Sequence, residues 1–156
     1  MDPTGFAQKH PEAPVIPQGV WPGKGGFTRP DWLDPRDPLF AQIAEDFYRH
    51  RRELFGDTSI YSMEVFQRGD TPGDVPVGGG SVAIQRSLEA AHSGTFWMMM
   101  AWQGNPRQAL INAVDRSKLM IVDEQLNSDL QHNSESEYKG APTCTVRYGI
   151  LATAIL

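Results

Sequence analysis

Polar and aromatic side chains that suit carbohydrate binding follow three apolar runs of the chain. They lie in Glu64 to Asp70, in Trp102-Gln103-Gly104-Asn105 and in Asp123-Glu124. The apolar face of a sugar ring packs on tryptophan, while amides and carboxylates hold its hydroxyl groups. The alternative is that Trp102 closes a core and the acids are loop surface. Residue types alone leave both interpretations open.

The elements that must position these residues alternate regularly. The periodicity of apolar residues predicts helices over 38–56, 81–92 and 105–115, and strands over 58–66, 95–102 and 118–123. Strands that are apolar on both faces and joined by helices are typical of a buried parallel sheet, and an open sheet and a barrel both fit. Since parallel strands end at one edge, the candidate residues are expected to lie together.

Three segments carry helix or loop signals of their own. Residues 1–37 are rich in Pro and Gly and are predicted to be a loop segment. Asp37 is a predicted N-cap before Pro38, and the first helix carries an apolar stripe expected to face the core: Leu39, Phe40, Ile43, Ala44, Phe47, Tyr48 and Leu54. Gly78-Gly79-Gly80 is weak as a phosphate-binding signal and is expected to be a flexible turn into the second helix.

Composition excludes several functional classes. The net charge of -5 argues against a nucleic-acid partner, and the basic run His50-Arg51-Arg52 is expected to be a solvated helix face. One cysteine, Cys144, leaves no internal disulfide, and the scattered histidines have no metal-ligand spacing, so no metal or cofactor is expected. No apolar run is long enough for a membrane span, and the N-terminus lacks a secretory signal. The expected location is cytoplasmic, although a longer parent enzyme would be open to export.

Three stretches together resemble the bacterial type of α-N-acetylglucosaminidase, a glycoside hydrolase family. They are Pro17-Gln18-Gly19 with Phe27 to Pro35, then Tyr61 through Pro72 to Gly78, then Trp97 to Gln103 with Asp115 to Asp123. Their order and spacing match from about residue 3 to residue 142. The resemblance implies the central part of a β/α (TIM) barrel, since 156 residues are fewer than the roughly 200 that a complete barrel needs.

The resemblance also implies a chemistry and its residues. The family hydrolyses terminal α-linked N-acetylglucosamine with retention, using one carboxyl as acid/base and another as nucleophile. The acid/base position and the residue before it correspond to Arg68 and Gln67, and an arginine does not donate its proton near neutral pH. The nucleophile lies beyond the matched stretch. No intact catalytic residue is therefore expected, and the predicted substrate-binding residues are Trp102, Gln103 and Asp123.

The end of the chain departs from the family. Residues 38–142 are predicted to be the barrel fragment, and residues 143–156 a divergent tail. Local composition predicts that this tail is an apolar strand. The abrupt loss of resemblance instead suggests that the tail is read out of frame relative to the ancestral enzyme, and the nucleotide sequence would test this. Three functions stay open: a truncated hydrolase that is inactive alone, a non-catalytic module that binds N-acetylglucosamine-containing glycans, and a partner subunit whose exposed sheet edges self-associate or are completed by another chain.

Overall fold

Parallel strands joined by helices form the centre of the molecule. A computed structural model describes residues 5–20, 25–66, 72–101, 105–123 and 141–145. In these ranges the elements are α1 (Phe6–Lys9), β1 (Val15–Ile16), β2 (Trp32–Leu33), α2 (Pro38–Phe55), β3 (Ile60–Ser62), α3 (Val77–Ala91), β4 (Phe96–Ala101), α4 (Gln108–Ala113), a 3-10 turn (Arg116–Lys118), β5 (Leu119–Asp123) and β6 (Thr143–Thr145). The chain is an α/β protein.

The four-stranded sheet has the order β3-β4-β5-β6, and every pair in it is parallel. Tyr61 lies beside Trp97, Trp97 beside Leu119, and Asp123 beside Thr145. This confirms the three predicted strands and their direction, although β3 is shorter than the apolar run around it. The first residues of the predicted tail form β6, as local composition indicates.

Helix α2 begins and ends where the sequence predicts. The Asp37 carboxylate accepts a hydrogen bond from Leu39 N–H at 2.8 Å, Pro38 occupies the first turn, and Gly56 follows the last residue with φ 78°. The predicted core stripe is wrong in part. Tyr48 is buried and Phe40 and Ala44 pack against the core, but Ile43, Phe47 and Leu54 are exposed on the neighbouring sector of the helix.

The basic run on α2 is more than a solvated face. His50 is exposed, as expected, but the Arg51 guanidinium lies 5.0 Å from the centroid of the Tyr61 ring, and Arg52 donates a hydrogen bond to the Ala91 carbonyl. These contacts join α2 to β3 and to the end of α3. The long aliphatic stems of arginine allow such packing while the helix stays at the surface.

Helix α3 begins at Val77, four residues before the predicted start, so the three consecutive glycines lie inside its first turns rather than in a flexible turn. Two of them permit close packing. A Cβ on Gly78 would lie 3.0 Å from Ala113 Cβ of α4, and one on Gly80 would lie 2.6 Å from the Phe66 ring. Helix α4 is shorter than predicted because Asn105-Pro106 and Asp115 lie outside it.

The two faces of the sheet have different surroundings. On one face, buried strand residues meet buried residues of α3 and α4 in a single core: Tyr61, Trp97, Met99, Leu119 and Ile121 with Ile84, Leu88, Leu110 and Ile111. The alternate residues of the same strands lie outside this core and are only half-buried: Phe96, Met98, Met100, Met120 and Val122. The prediction that both faces are buried is therefore wrong for the described chain.

The Pro/Gly-rich segment contains more structure than a loop. It has α1 and an antiparallel ribbon in which Val15 lies beside Leu33 and Ile16 beside Trp32. Asp34 is 8% exposed and accepts hydrogen bonds from the Arg36 guanidinium on both carboxylate oxygens, and these hydrogen bonds lower the pKa of Asp34. The segment therefore reaches α2 through ordered turns.

Among the described residues, no helix is long and apolar enough to cross a membrane.

Candidate functional site

Strands β3, β4 and β5 are parallel, so the segments that follow them leave from the same edge of the sheet. Ala101, the last residue of β4, lies beside Asp123, the last residue of β5. This brings together the three strand ends on which the predicted site depends. Ligands of parallel sheets bind outside the carboxyl ends of strands, which makes this edge the candidate site.

Glu64 is a carboxylate at this edge whose side chain has a defined contact. Its Oε1 accepts a hydrogen bond from Met100 N–H at 2.7 Å, joining the end of β3 to β4. The Trp97 indole N–H donates to the Met63 carbonyl at 2.9 Å and strengthens the same junction. A carboxylate held by a backbone donor acts as a structural acceptor. Glu64 therefore links the segment after β3 to β4.

Phe66 lies two residues before the family acid/base position in the sequence. Its φ is 52°, in the left-handed region that bulky residues rarely adopt. The side chain is 1% exposed and packs edge-on against Trp32, with ring centroids 5.5 Å apart. A strained residue persists only where its surroundings hold it, and such residues are common at functional sites. The sequence did not identify Phe66, since no local pattern predicts a phenylalanine with a positive φ.

The Pro/Gly-rich segment packs at this same edge. Trp32 of β2 contacts Phe66, and Ile16 of β1 lies close to Gly73, where a Cβ would be 3.2 Å from the isoleucine methyl group. Gly73 has φ 60°, so a glycine is favoured there for backbone as well as spatial reasons. The ribbon of β1 and β2 thus packs on Phe66 and Gly73, which stand on either side of the acid/base position in the sequence.

Asn105, after β4, is buried with no hydrogen-bond partner for either side-chain amide atom within the described part of the chain. Buried polar groups in native proteins are nearly always paired, so an amide like this one is expected to gain a partner. The sequence pattern places Asn105 after a strand, but nothing in the pattern marks its side chain for a role. Its burial, which depends on distant residues, is the signal that distinguishes it.

Most of the predicted site residues lie outside the described residues. This applies to Gln67 and Arg68 after β3 and to Trp102 and Gln103 after β4. Asp123 is placed by its backbone as the last residue of β5, without a description of its side chain. The structure therefore brings together the strand ends that carry these residues, and the shared cleft of Trp102 and Asp123 stays a prediction.

A separate depression of about 340 Å³ lies at the amino-terminal ends of β4 and β5, away from the strand ends described above. It is lined by Val82, Gln85, Arg86, Leu88, Glu89, Thr95, Trp97, Ala113, Asp115 and Lys118. Its carboxylates are already engaged: the Gly94 N–H lowers the pKa of Glu89, and hydrogen bonds from Ser117 lower the pKa of Asp115. The lowered pKa values favour the charged form of both carboxylates. We place the candidate site at the carboxyl edge because the predicted site residues follow the strands there.

The fold and this edge define a β/α protein whose candidate chemistry lies at the carboxyl ends of parallel strands. A family model described as the alpha-N-acetylglucosaminidase (NAGLU) tim-barrel domain matches residues 1–146. The chain therefore belongs to the α-N-acetylglucosaminidase TIM-barrel domain family, which confirms the resemblance found in the sequence.

Individual relatives agree with the family match. The α-N-acetylglucosaminidase of Homo sapiens is 23% identical over 152 residues, covering 90% of this chain and 20% of the human protein. Two structures of a family 89 glycoside hydrolase from Clostridium perfringens, in complex with 2-acetamido-1,2-dideoxynojirmycin and with PUGNAc, are 31% identical with a TM-score of 0.71. They cover 78% of this chain, which spans 14% of that enzyme. The chain is thus similar to a small part of much longer proteins.

Proposed function

We propose that this chain forms an arc of a β/α barrel of the α-N-acetylglucosaminidase type, carrying the acid/base segment and one wall of the sugar pocket. The observation that supports the proposal is the parallel register of β3, β4 and β5, since these strands end at one edge of the sheet and Arg68, Trp102 and Asp123 stand at or after their ends in the sequence. The ligand class is a terminal α-linked N-acetylglucosamine, in keeping with the name of the family.

Within this proposal the chain does not hydrolyse glycosides by itself. Retaining hydrolysis needs a proton donor and a carboxylate nucleophile about 5 Å apart. Arg68 occupies the acid/base position and keeps its proton near neutral pH, and the matched stretch carries no counterpart of the nucleophile. Trp102 and Gln103 are proposed to contact the sugar, with Asp123 holding a hydroxyl group.

A chimeric enzyme separates the effect of Arg68 from that of the missing nucleophile. The chimera is the Clostridium perfringens relative with its matched stretch replaced by residues 3–142 of this chain, assayed on a chromogenic α-N-acetylglucosaminide. We expect the chimera to fold and to be inactive, because the relative supplies the nucleophile while Arg68 replaces the acid. Arg68→Glu in the chimera should then restore turnover by at least about a hundredfold, the usual contribution of a general acid.

The isolated 156-residue chain provides the companion measurement. It should give no turnover, with Arg68 or with Arg68→Glu, because the nucleophile is missing in both. Activity that co-elutes with the purified chain would overturn the proposal. So would a folded chimera that is already active with Arg68, or one that Arg68→Glu leaves inactive.

A further inference from the structure

The depression at the amino-terminal ends of β4 and β5 lies where α4 is too short to follow α3. The two helices contact each other at Gly78, where a Cβ would be 3.0 Å from Ala113 Cβ. Helix α4 ends at Ala113, whereas α3 continues to Ala91. The space left beside α3 has a volume of about 340 Å³, which is within the range of small-ligand sites. Its lining residues all lie in the described ranges, so this chain forms the depression by itself.

Two side chains of α3 hold the walls of the depression in place. The Gln85 amide donates to the Asp115 carbonyl at 3.0 Å and accepts from Asp115 N–H at 2.8 Å. One turn further along α3, the Glu89 carboxylate accepts from Gly94 N–H at 3.0 and 3.1 Å. These hydrogen bonds tie α3 to the segments that precede β5 and β4. The depression is therefore pre-formed, as ligand sites usually are.

The same contacts occupy the acceptors of the lining. Both Glu89 oxygens accept from Gly94 N–H, and Asp115 Oδ1 accepts from Ser117 N–H at 2.9 Å and from the Ser117 hydroxyl at 2.7 Å. The donor and the acceptor of the Gln85 amide are both used by Asp115. The charged groups that still have unused hydrogen-bonding capacity are therefore the cations.

Arg86 and Lys118 are the cations of the lining. Arg86 is exposed, and the described part of the chain gives it no hydrogen bond, ion pair or ring contact. Lys118 is half-buried, and its ammonium lies 5.9 Å from the centroid of the Phe96 ring. A guanidinium has five N–H donors and an ammonium has three, and both form their strongest hydrogen bonds with anionic oxygens. These residues favour a ligand that supplies a carboxylate.

A buried hydroxyl points to a ligand independently of the charges. Thr95 lines the depression and is 2% exposed, and its Oγ1 has no hydrogen-bond partner within the described ranges. Buried polar groups in native proteins are nearly always paired, so this hydroxyl is expected to gain a partner. Leu88 and Trp97, which are both buried, give the same lining an apolar part.

We propose that the depression is a binding site for a small carboxylate with an apolar body. The carboxylate contacts Arg86 and Lys118, and the apolar body packs towards Leu88 and Trp97. The Thr95 hydroxyl forms a further hydrogen bond with the ligand. The site lies at the opposite edge of the sheet from the proposed sugar pocket and stands independently of the proposed function.

The charge balance of the lining decides how such a ligand is held. The two cations and the two carboxylates cancel each other, so the site has no general positive field. Direct hydrogen bonds to the guanidinium therefore hold the carboxylate, and long-range attraction contributes little. Removal of a nearby cation outside the lining is expected to have no effect.

The test is a titration of the isotope-labelled 156-residue chain with 2-naphthoate, followed by the NMR shifts of the Trp97 indole N–H and the Thr95 amide. We expect saturable binding with a Kd of about 1 mM, which is usual for a ligand of this size. Acetate lacks the apolar body and 2-naphthamide lacks the charge, so each should bind at least about tenfold more weakly.

Variants locate the ligand in the depression. Arg86→Gln should weaken the binding of 2-naphthoate at least about tenfold, because a charge-assisted hydrogen bond is lost. Thr95→Val, which keeps the shape of the side chain, should weaken it about threefold. Arg116→Gln is the matched control, since it removes an exposed cation near Lys118 that does not line the depression. It should leave the affinity unchanged.

Several results would overturn the proposal. They are the absence of saturable binding, equal binding of acetate or 2-naphthamide, and equal losses in Arg86→Gln and Arg116→Gln. Where the isolated chain does not give the spectrum of a folded protein, the chimera described above is titrated instead, because it carries the same lining residues.

Discussion

Phe66 and Gly80 form a matched pair in the core next to the acid/base segment. The Phe66 ring occupies the space where a Gly80 side chain would lie, 2.6 Å from a Cβ. Because Phe66 is buried and held at a positive φ, it has little freedom to move away. The glycine thereby leaves room for the Phe66 ring, two residues before Arg68 in the sequence.

Gly80→Ala should therefore lower the free energy of unfolding by about 1–3 kcal/mol, the usual effect of overpacking a core. Gly79→Ala is the control, since its nearest contact would be an ordinary 3.9 Å from Pro76 Cβ. That substitution should be neutral or stabilise by up to about 1 kcal/mol, because alanine favours the helix. Urea unfolding followed by circular dichroism measures both, and equal effects would contradict the packing described for Phe66.

Tyr48 makes stability depend on pH in the alkaline range. Burial raises the pKa of Tyr48 to about 12, with a smaller contribution from Tyr61, whose ring centroid lies 4.9 Å away. The raised pKa means that the folded state favours the neutral phenol. Stability from this group is complete below the ordinary pKa of 10 and is lost as the pH rises towards 12.

We expect the free energy of unfolding to fall between pH 10 and pH 12, and Tyr48→Phe to flatten that fall. The variant loses the hydrogen bond from the Tyr48 hydroxyl to Met63 Sδ, so it should be slightly less stable at neutral pH. Denaturant unfolding at several pH values, with a tyrosinate absorbance titration of the folded chain, tests both parts. An unchanged pH profile in Tyr48→Phe would contradict the assignment.

At the scale of elements, the start of α2 depends on one side chain. The Asp37 carboxylate accepts a hydrogen bond from Leu39 N–H, directly after the turn that contains the Asp34–Arg36 ion pair. Asp37→Ala should lower the free energy of unfolding by about 0.5–2 kcal/mol, the usual effect of losing an N-cap. Asp37→Asn should retain most of the stability because the amide oxygen caps equally well. Thermal unfolding of both distinguishes loss of the cap from loss of charge.

For the whole molecule, adjacent methionines of β4 report which face of the sheet is covered. Met99 is 0% exposed in the core, whereas Met98 is half-buried on the open face. In the isolated chain Met99→Ala should cost about 2–5 kcal/mol of unfolding free energy. Met98→Ala should cost clearly less, because little packing is lost there. Similar losses in urea unfolding would show that the face of Met98 is covered after all.

The sequence by itself determined the alternation of helices and strands, the N-cap of α2, the parallel direction of the sheet and the family. The elements and the cap depend on near neighbours in the chain: a cap precedes a helix by one residue, and apolar periodicity is read within a turn or a strand. The family followed from the order and spacing of three stretches between about residue 3 and residue 142. The strand ends that carry the predicted site followed from the same pattern. Its individual side chains at 67, 68, 102 and 103 lie outside the described residues and stay predictions.

Only the tertiary structure decided which apolar surfaces are covered. Phe40 and Phe47 look alike in the helical pattern, yet one packs against the core and the other is 62% exposed. The consecutive glycines suggested a flexible turn, but Gly78 and Gly80 meet Ala113 of α4 and Phe66, respectively. Glu64 follows an apolar run as the other candidate residues do, and only the fold shows that its carboxylate accepts a hydrogen bond from Met100 N–H. In each case the deciding contact joins residues distant in the chain, so no local pattern contains it.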